Sequence, residues 1–183
     1  MICNTGQAMV NYYNSLSGDE LKFQDITDYY MEKFVNPVWQ TDFYKLFLDT
    51  NFWKTVKVID GAQEYINQLI KDDFRVVFVT STEPYNFYKK SKWLMRIFPN
   101  IDLRDSLISI KDKQLLSHLD VLIDDYPKNL IDKYDSYGNL LKAKYKKILF
   151  DLDGQYMWTK TFECDNDDSF RAFNWDDVYN IVT

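Results

Sequence analysis

Two short runs, Arg75 to Val79 and Val121 to Ile123, limit what this chain can fold into. Both are rich in β-branched residues and show no polar alternation, the mark of a strand buried on both faces of a parallel sheet. Leu107 to Ile110 and Ile148 to Phe150 read as two further strands. Helical patterns separate them: Ala62 to Lys71, Phe87 to Phe98, a short Asp112 to Ser117, and a final Trp175 to Val182. Strands alternating with helices predict βαβ units around a parallel sheet. Right-handed crossovers then bring the strand C-terminal ends to one edge, where such sheets bind ligands.

The first 50 residues differ. Ala8, Val10, Tyr12, Tyr13 and Leu16 predict a short helix that stops near Gly18. Asp25 is placed to cap a second helix, Ile26 to Val35, ending near Asn36-Pro37. A third, Gln40 to Leu48, sets Phe43, Tyr44, Phe47 and Leu48 at helical spacing. The expected division is a helical cap over 1–50 and an α/β core over 51–183, forming one unit. A chain of 183 residues suits that arrangement.

Charge and composition exclude several classes. The net charge is −6, and no stripe of Lys and Arg forms; Lys142 to Lys147 is the densest patch and reads as a solvated lead-in to a strand. Direct nucleic-acid binding is therefore not expected. Cys3 and Cys164 are too few and too far apart for a zinc site or a disulfide framework. No apolar run approaches the length of a membrane span, and the start shows no signal-peptide pattern, so a cytoplasmic protein is expected. His118, the single histidine, reads as structural, and no Ser-His-Asp, P-loop or dinucleotide fingerprint occurs.

Three signals fall at the expected strand ends. Thr80 and Ser81 follow the first buried run; hydroxyls and free backbone N–H groups there suit a phosphate oxygen, or else cap the following helix. Lys113 stands between two strands, where its charge can neutralise a transferring phosphoryl group; a solvated lysine is the plainer reading. Asp124 and Asp125 end the second buried run, before Tyr126-Pro127. Adjacent carboxylates there call for a compensating cation, Mg²⁺ being the natural one, unless they only form a turn.

Their order, strand–Thr-Ser, Lys, strand–Asp-Asp, resembles motifs two, three and four of the haloacid-dehalogenase superfamily. The flanks Asn51-Phe52-Trp53, Val58-Ile59-Asp60-Gly61-Ala62, Phe78 to Ser81, Lys111-Asp112-Lys113 and Leu122 to Pro127 look like the 5'(3')-deoxyribonucleotidases. Phe170 to Val178 is similar to the end of their phage and bacterial members. The resemblance spans nearly the whole chain. It implies a three-layer Rossmann-like parallel sheet with a small helical cap, and Mg²⁺-dependent dephosphorylation of deoxynucleoside monophosphates. By it, Thr80 and Ser81 hold the phosphate, Lys113 steadies it, Lys90 adds a further contact, and Asp124 and Asp125 supply metal coordination. The cap would close over the base, with Trp39, Phe43, Tyr44, Phe52 and Trp53 as stacking candidates or as plain core.

The same resemblance exposes a gap. The family's first motif, a strand ending in Asp-x-Asp-Gly-Val, carries the nucleophile and the general acid–base. This chain opens Met1-Ile2-Cys3-Asn4-Thr5, which looks like the residues after that motif. Three expectations follow. The chain as written lacks the nucleophile and is inactive, its family activity needing residues upstream. Alternatively, it is a phage-type pseudoenzyme that binds a host protein, such as part of the transcription machinery. Or Ile148 to Gly154, which contains Asp151-Leu152-Asp153-Gly154, slides into the central position and supplies Asp151 and Asp153 as a permuted catalytic pair.

Overall fold

The computed structural model describes residues 1–164 and 168–183. The chain opens with helix α1 (Thr5–Ser17), where the Asn4 side chain accepts from the Gln7 amide at 3.0 Å and Gly18 ends the helix in the left-handed conformation. Three short helices follow: α2 (Pro37–Gln40), α3 (Thr50–Thr55) and, longer, α4 (Ala62–Lys71). In α4, Ala62, Ile66 and Leu69 are buried at i, i+4 and i+7, the single apolar face its sequence predicts.

The α/β part continues with β1 (Phe78–Thr80), α5 (Pro84–Ile97), α6 (Leu103–Ser106) and β2 (Leu107–Ser109). Next come β3 (Val121–Asp124), a hairpin of β4 (Lys133–Tyr134) and β5 (Leu140–Leu141), β6 (Lys146–Phe150), β7 (Ser169–Ala172) and α7 (Trp175–Val182). Strand β1 pairs in parallel with β2, and β3, β6 and β7 form a parallel sheet in that order. The chain is thus an α/β protein of Rossmann-like type, with parallel sheets and surrounding helices.

The parallel strands do not form one continuous sheet. Among the described residues, β1 has no ladder partner but β2 on its outer side, and β3 none but β6. This seam has a signature in burial. Ile148, Leu149 and Phe150 of β6 are fully enclosed, whereas Val77, Val79, Val121 and Ile123 are only half-buried. The expectation that Arg75 to Val79 is enclosed on both faces is therefore corrected: the strand is shorter, and one edge lacks a neighbour. The strand before Asp151 does not fill the central position either, since β6 lies between β3 and β7.

Two helical expectations in the first 50 residues are also corrected. Ile26 to Val35 is not a helix; one-turn 3₁₀ segments at Phe23–Asp25 and Met31–Phe34 flank extended backbone at Ile26. The Asp28 carboxylate accepts from the Tyr30 amide at 3.0 Å, a local turn that competes with helix. Residues 40–48 split between α2 and a 3₁₀ segment, Phe43–Leu48, which buries Phe43 and Leu46 while Tyr44 and Leu48 stay exposed. The three-residue period of 3₁₀ geometry selects that pair. Helix α1 and Phe43, Phe52 and Trp53 belong to the same apolar cluster as Phe78, Phe150 and Trp175, so one core runs beneath both parts of the chain.

Candidate active site

The ends of β1 and β3 gather the residues singled out from the sequence. Thr80, the last residue of β1, is buried, and its Oγ1 accepts from Lys90 Nζ at 2.9 Å. Lys90 is reached because Pro84 starts α5 just after the strand and places Lys90 on the turn facing back to Thr80. Burial pulls the Lys90 ammonium below its ordinary pKa. Ser81 follows on the exposed side of the same turn.

Lys113 is buried and pairs with Asp124 Oδ2, while Lys111 is exposed. It lies on a 3₁₀ turn, Lys113–Leu115, rather than the short helix expected over 112–117. That turn is fixed to the loop after β3: Gln114 Nε2 donates to the carbonyls of Lys128 and Ile131, both at 2.9 Å. Asp124 is saturated. Its Oδ1 accepts from the Tyr126 amide at 2.9 Å, and Asn129 Nδ2 lies 3.1 Å from each carboxylate oxygen. A buried carboxylate with this many donors and a paired cation meets the conditions under which burial of charge is tolerated.

Asp125 differs from its neighbour. No other side chain bonds to its carboxylate among the described residues, and burial, followed by repulsion from Asp124, pushes its pKa up to about 6. The Met1 ammonium faces both carboxylates, and enclosure lowers its pKa. Cys3, beside them, is pushed up to about 11 by burial, which leaves it a thiol rather than a nucleophilic thiolate near neutral pH.

Several aromatic residues close over this carboxylate pair, and local periodicity gave no signal for them. Tyr29 stacks on Tyr126 with centroids 3.8 Å apart, and Trp158 Nε1 donates to the Asp125 carbonyl at 3.0 Å. Tyr156 stacks on Trp158 at 4.9 Å. Among the described residues its hydroxyl has no hydrogen-bond partner, and it lies in the field of Asp125. The aromatics named from the sequence lie elsewhere. Phe43, Phe52 and Trp53 are core, Trp39 packs edge-on against Tyr13, and Tyr44 donates to Glu32 at 2.7 Å.

The permuted pair lies in the field of the Tyr156 hydroxyl, but Asp151 is committed to other partners and Asp153 is exposed. Asp151 is fully buried and accepts from the Tyr156 amide at 2.9 Å, Thr159 Oγ1 at 2.8 Å and Arg171 Nη1 at 2.9 Å. Arg171 Nη2 continues to the carbonyls of Thr159 and Phe162, at 3.0 and 2.9 Å. That is a closed structural network tying the end of β6 to β7. Asp153 sits in the left-handed region (φ 51°), with its carboxylate accepting from Gln155 at 3.3 Å.

A parallel sheet carrying Thr, Lys and paired Asp at strand ends defines the class, and comparison with known proteins agrees. A family model described as "5' nucleotidase, deoxy (Pyrimidine), cytosolic type C protein" matches residues 1–183, and the chain belongs to that haloacid-dehalogenase-like family. It is 30% identical over 142 residues to a 5'(3')-deoxyribonucleotidase of Clostridium acetobutylicum, spanning 78% of this chain and 72% of that one. The 5'(3')-deoxyribonucleotidases of Bacillus subtilis and Bacillus phage SPbeta are each 26% identical over 171 residues, 92% of this chain and 86% of theirs.

Proposed function

We propose that the chain binds deoxynucleoside monophosphates by their phosphate, at the cleft between the ends of β1 and β3, and that its own residues do not hydrolyse them. The observation that carries this is the convergence of Lys90 on Thr80 and of Lys113 on Asp124 at the two strand ends. Two ammonium groups and a hydroxyl gathered at the strand ends suit the dianion of a phosphate monoester. The relatives' names supply the substrate class.

Among the described residues no cluster of three or more His, Cys, Asp or Glu forms. A magnesium ion needs only one or two carboxylates alongside water and phosphate oxygens, so the donor set still fits. Asp125 is the ligand with open lone pairs; Asp124 is committed to Lys113 and Asn129 and orients the lysine. A bound cation would there offset phosphate charge. The chain's own residues hold the phosphate (Thr80, Ser81, Lys90) and balance its charge (Lys113). Asp151 is bound up in the β6–β7 network, Asp153 is exposed beside Gln155, and Asp125 is taken as the cation's ligand, so no carboxylate is assigned the nucleophile's role.

Calorimetric titration with dUMP and Mg²⁺ tests the reading. Saturable binding is expected, weakened about tenfold or more by Thr80→Val and by Lys90→Met, with no phosphate released. Unchanged affinity in both variants, or steady release of phosphate by the chain as written, overturns it.

A further inference from the structure

Helix α5 carries a second apolar line that the core does not use. Asn86, Trp93 and Leu94 are buried on its inner side. On the outer side Tyr85 is 82% exposed, and Tyr88 and Met95 are each 58% exposed. With Lys92 they stand at i, i+3, i+7 and i+10, the alternating three- and four-residue steps of a helix–helix seam. The helix has 14 residues and is therefore about 21 Å long, so this line runs along most of it. Apolar side chains exposed singly need no explanation, but a row of them at the period of a helical partner does.

The charge along the row has one sign. Lys92 lies within it, and Lys89 and Arg96 flank it on one edge. Helix α5 contains no carboxylate, Glu83 standing just before it, although the whole chain carries a net charge of −6. Among the described residues none of these three cations forms an ion pair. Lys89 donates to the Thr50 hydroxyl, and the Lys92 ammonium lies 5.1 Å from the centre of the Tyr88 ring. That cation–π contact orders both side chains in advance, which lowers the entropy cost of docking.

Charge also selects the occupant. A second copy docking through the same row would set Lys92 and Arg96 against their own counterparts, and like charges there repel. A nucleic acid or an anionic membrane presents an extended polyanion to a molecule that is itself anionic, and three cations offset little of that repulsion. A short acidic helix meets the cations and little else.

We propose that the outer face of α5 docks one amphipathic α-helix of a partner protein, with apolar residues at three- and four-residue steps and glutamates along the edge that meets Lys92 and Arg96. Tyr85, Tyr88 and Met95 receive its apolar side. The phosphate cluster is separate from this face, since Lys90 turns inward from the same helix to Thr80.

The test uses the full chain and a fluorescent synthetic peptide with leucine at the two seam positions of each heptad, glutamate at the flanking positions and alanine elsewhere. Its anisotropy should rise saturably with the protein, and amide exchange should slow within α5. Lys92→Glu combined with Arg96→Glu should weaken this peptide about tenfold or more and should bind a peptide with lysine in place of glutamate. Tyr88→Ser, which leaves the cations intact, should weaken the glutamate peptide as well. A scrambled peptide of equal composition that binds as tightly reduces the face to diffuse attraction and overturns the proposal. Absence of peptide binding overturns it too, as does a charge-reversed protein that gains nothing for the lysine peptide. So do self-association that protects α5 without peptide, and single-stranded DNA or phosphatidylserine vesicles that protect α5 where the peptide does not.

Discussion

Lys113 pairs with Asp124 and leaves Asp125 without a side-chain partner among the described residues, so two adjacent carboxylates have opposite situations. Asp124 is a positioning group, held by Tyr126, Asn129 and Lys113, while Asp125 is the one free to take a new ligand. Lys113→Met should therefore do more than remove a phosphate contact. It strands a buried carboxylate, which costs about 3–5 kcal/mol. Urea unfolding of the two proteins measures the loss; a difference below about 1 kcal/mol would show that the pair is not buried as described.

Asp125 makes stability depend on pH in a definite direction. Its folded pKa, about 6, lies above the ordinary carboxylate value of 3.8, so the folded state holds that proton more tightly than the unfolded one. The group's unfavourable contribution is absent below the unfolded value, grows as pH rises to the folded value, and is constant above it. In metal-free protein, Asp125→Asn should raise Tm at pH 7.5 and lose that advantage at pH 4. Thermal unfolding in EDTA across this range checks it; an advantage that grows toward acid reverses the sign and refutes the assignment.

The Asp151–Arg171 pair predicts a purely structural phenotype. Asp151→Ala removes the acceptor of three donors and leaves Arg171 uncompensated, at a cost of about 3–5 kcal/mol. The folded fraction should bind dUMP as the parent does. Loss of nucleotide affinity without loss of stability would mean that Asp151 belongs to the site after all.

Tyr29 joins the N-terminal segment to the carboxylate loop by its stack on Tyr126. Tyr29→Leu keeps most of the buried area and removes the aromatic pairing, worth about 1 kcal/mol. Amide exchange over 125–131 should quicken while that of β6 stays unchanged. Equal exchange in both regions would show that the stack does not restrain the loop.

How much of this was legible beforehand depended on the range of the forces involved. The helices at 62–71 and 175–182 follow from local periodicity and from caps such as Asn174, which accepts from the Asp177 amide at 2.8 Å, and both lie where the sequence puts them. The strand ends at Thr80 and Asp124 were readable because apolar runs stop abruptly at polar groups. Strand β7 carries no strand signal in the sequence, since Ser169-Phe170-Arg171-Ala172 has a charge in its middle; Asp151, 20 residues earlier, and the Thr159 and Phe162 carbonyls make that arginine tolerable. The Tyr29–Tyr126 and Trp158–Asp125 contacts join residues far apart in sequence, and no periodicity encodes them. The helix expected at 26–35 failed for the opposite reason: a local Asx turn at Asp28 outweighed a helical apolar pattern.

The open seam has a mechanical consequence. A continuous ladder makes a sheet a stiff plate, and strands joined through it melt together. Among the described residues, no ladder joins the half carrying Thr80 to the half carrying Asp124, and side chains and helices couple them. The width of the cleft between them is then the softest coordinate of the molecule, and heating should release the β1–β2 half before the β3–β6–β7 half. Calorimetry would record this as a van't Hoff enthalpy smaller than the total heat absorbed.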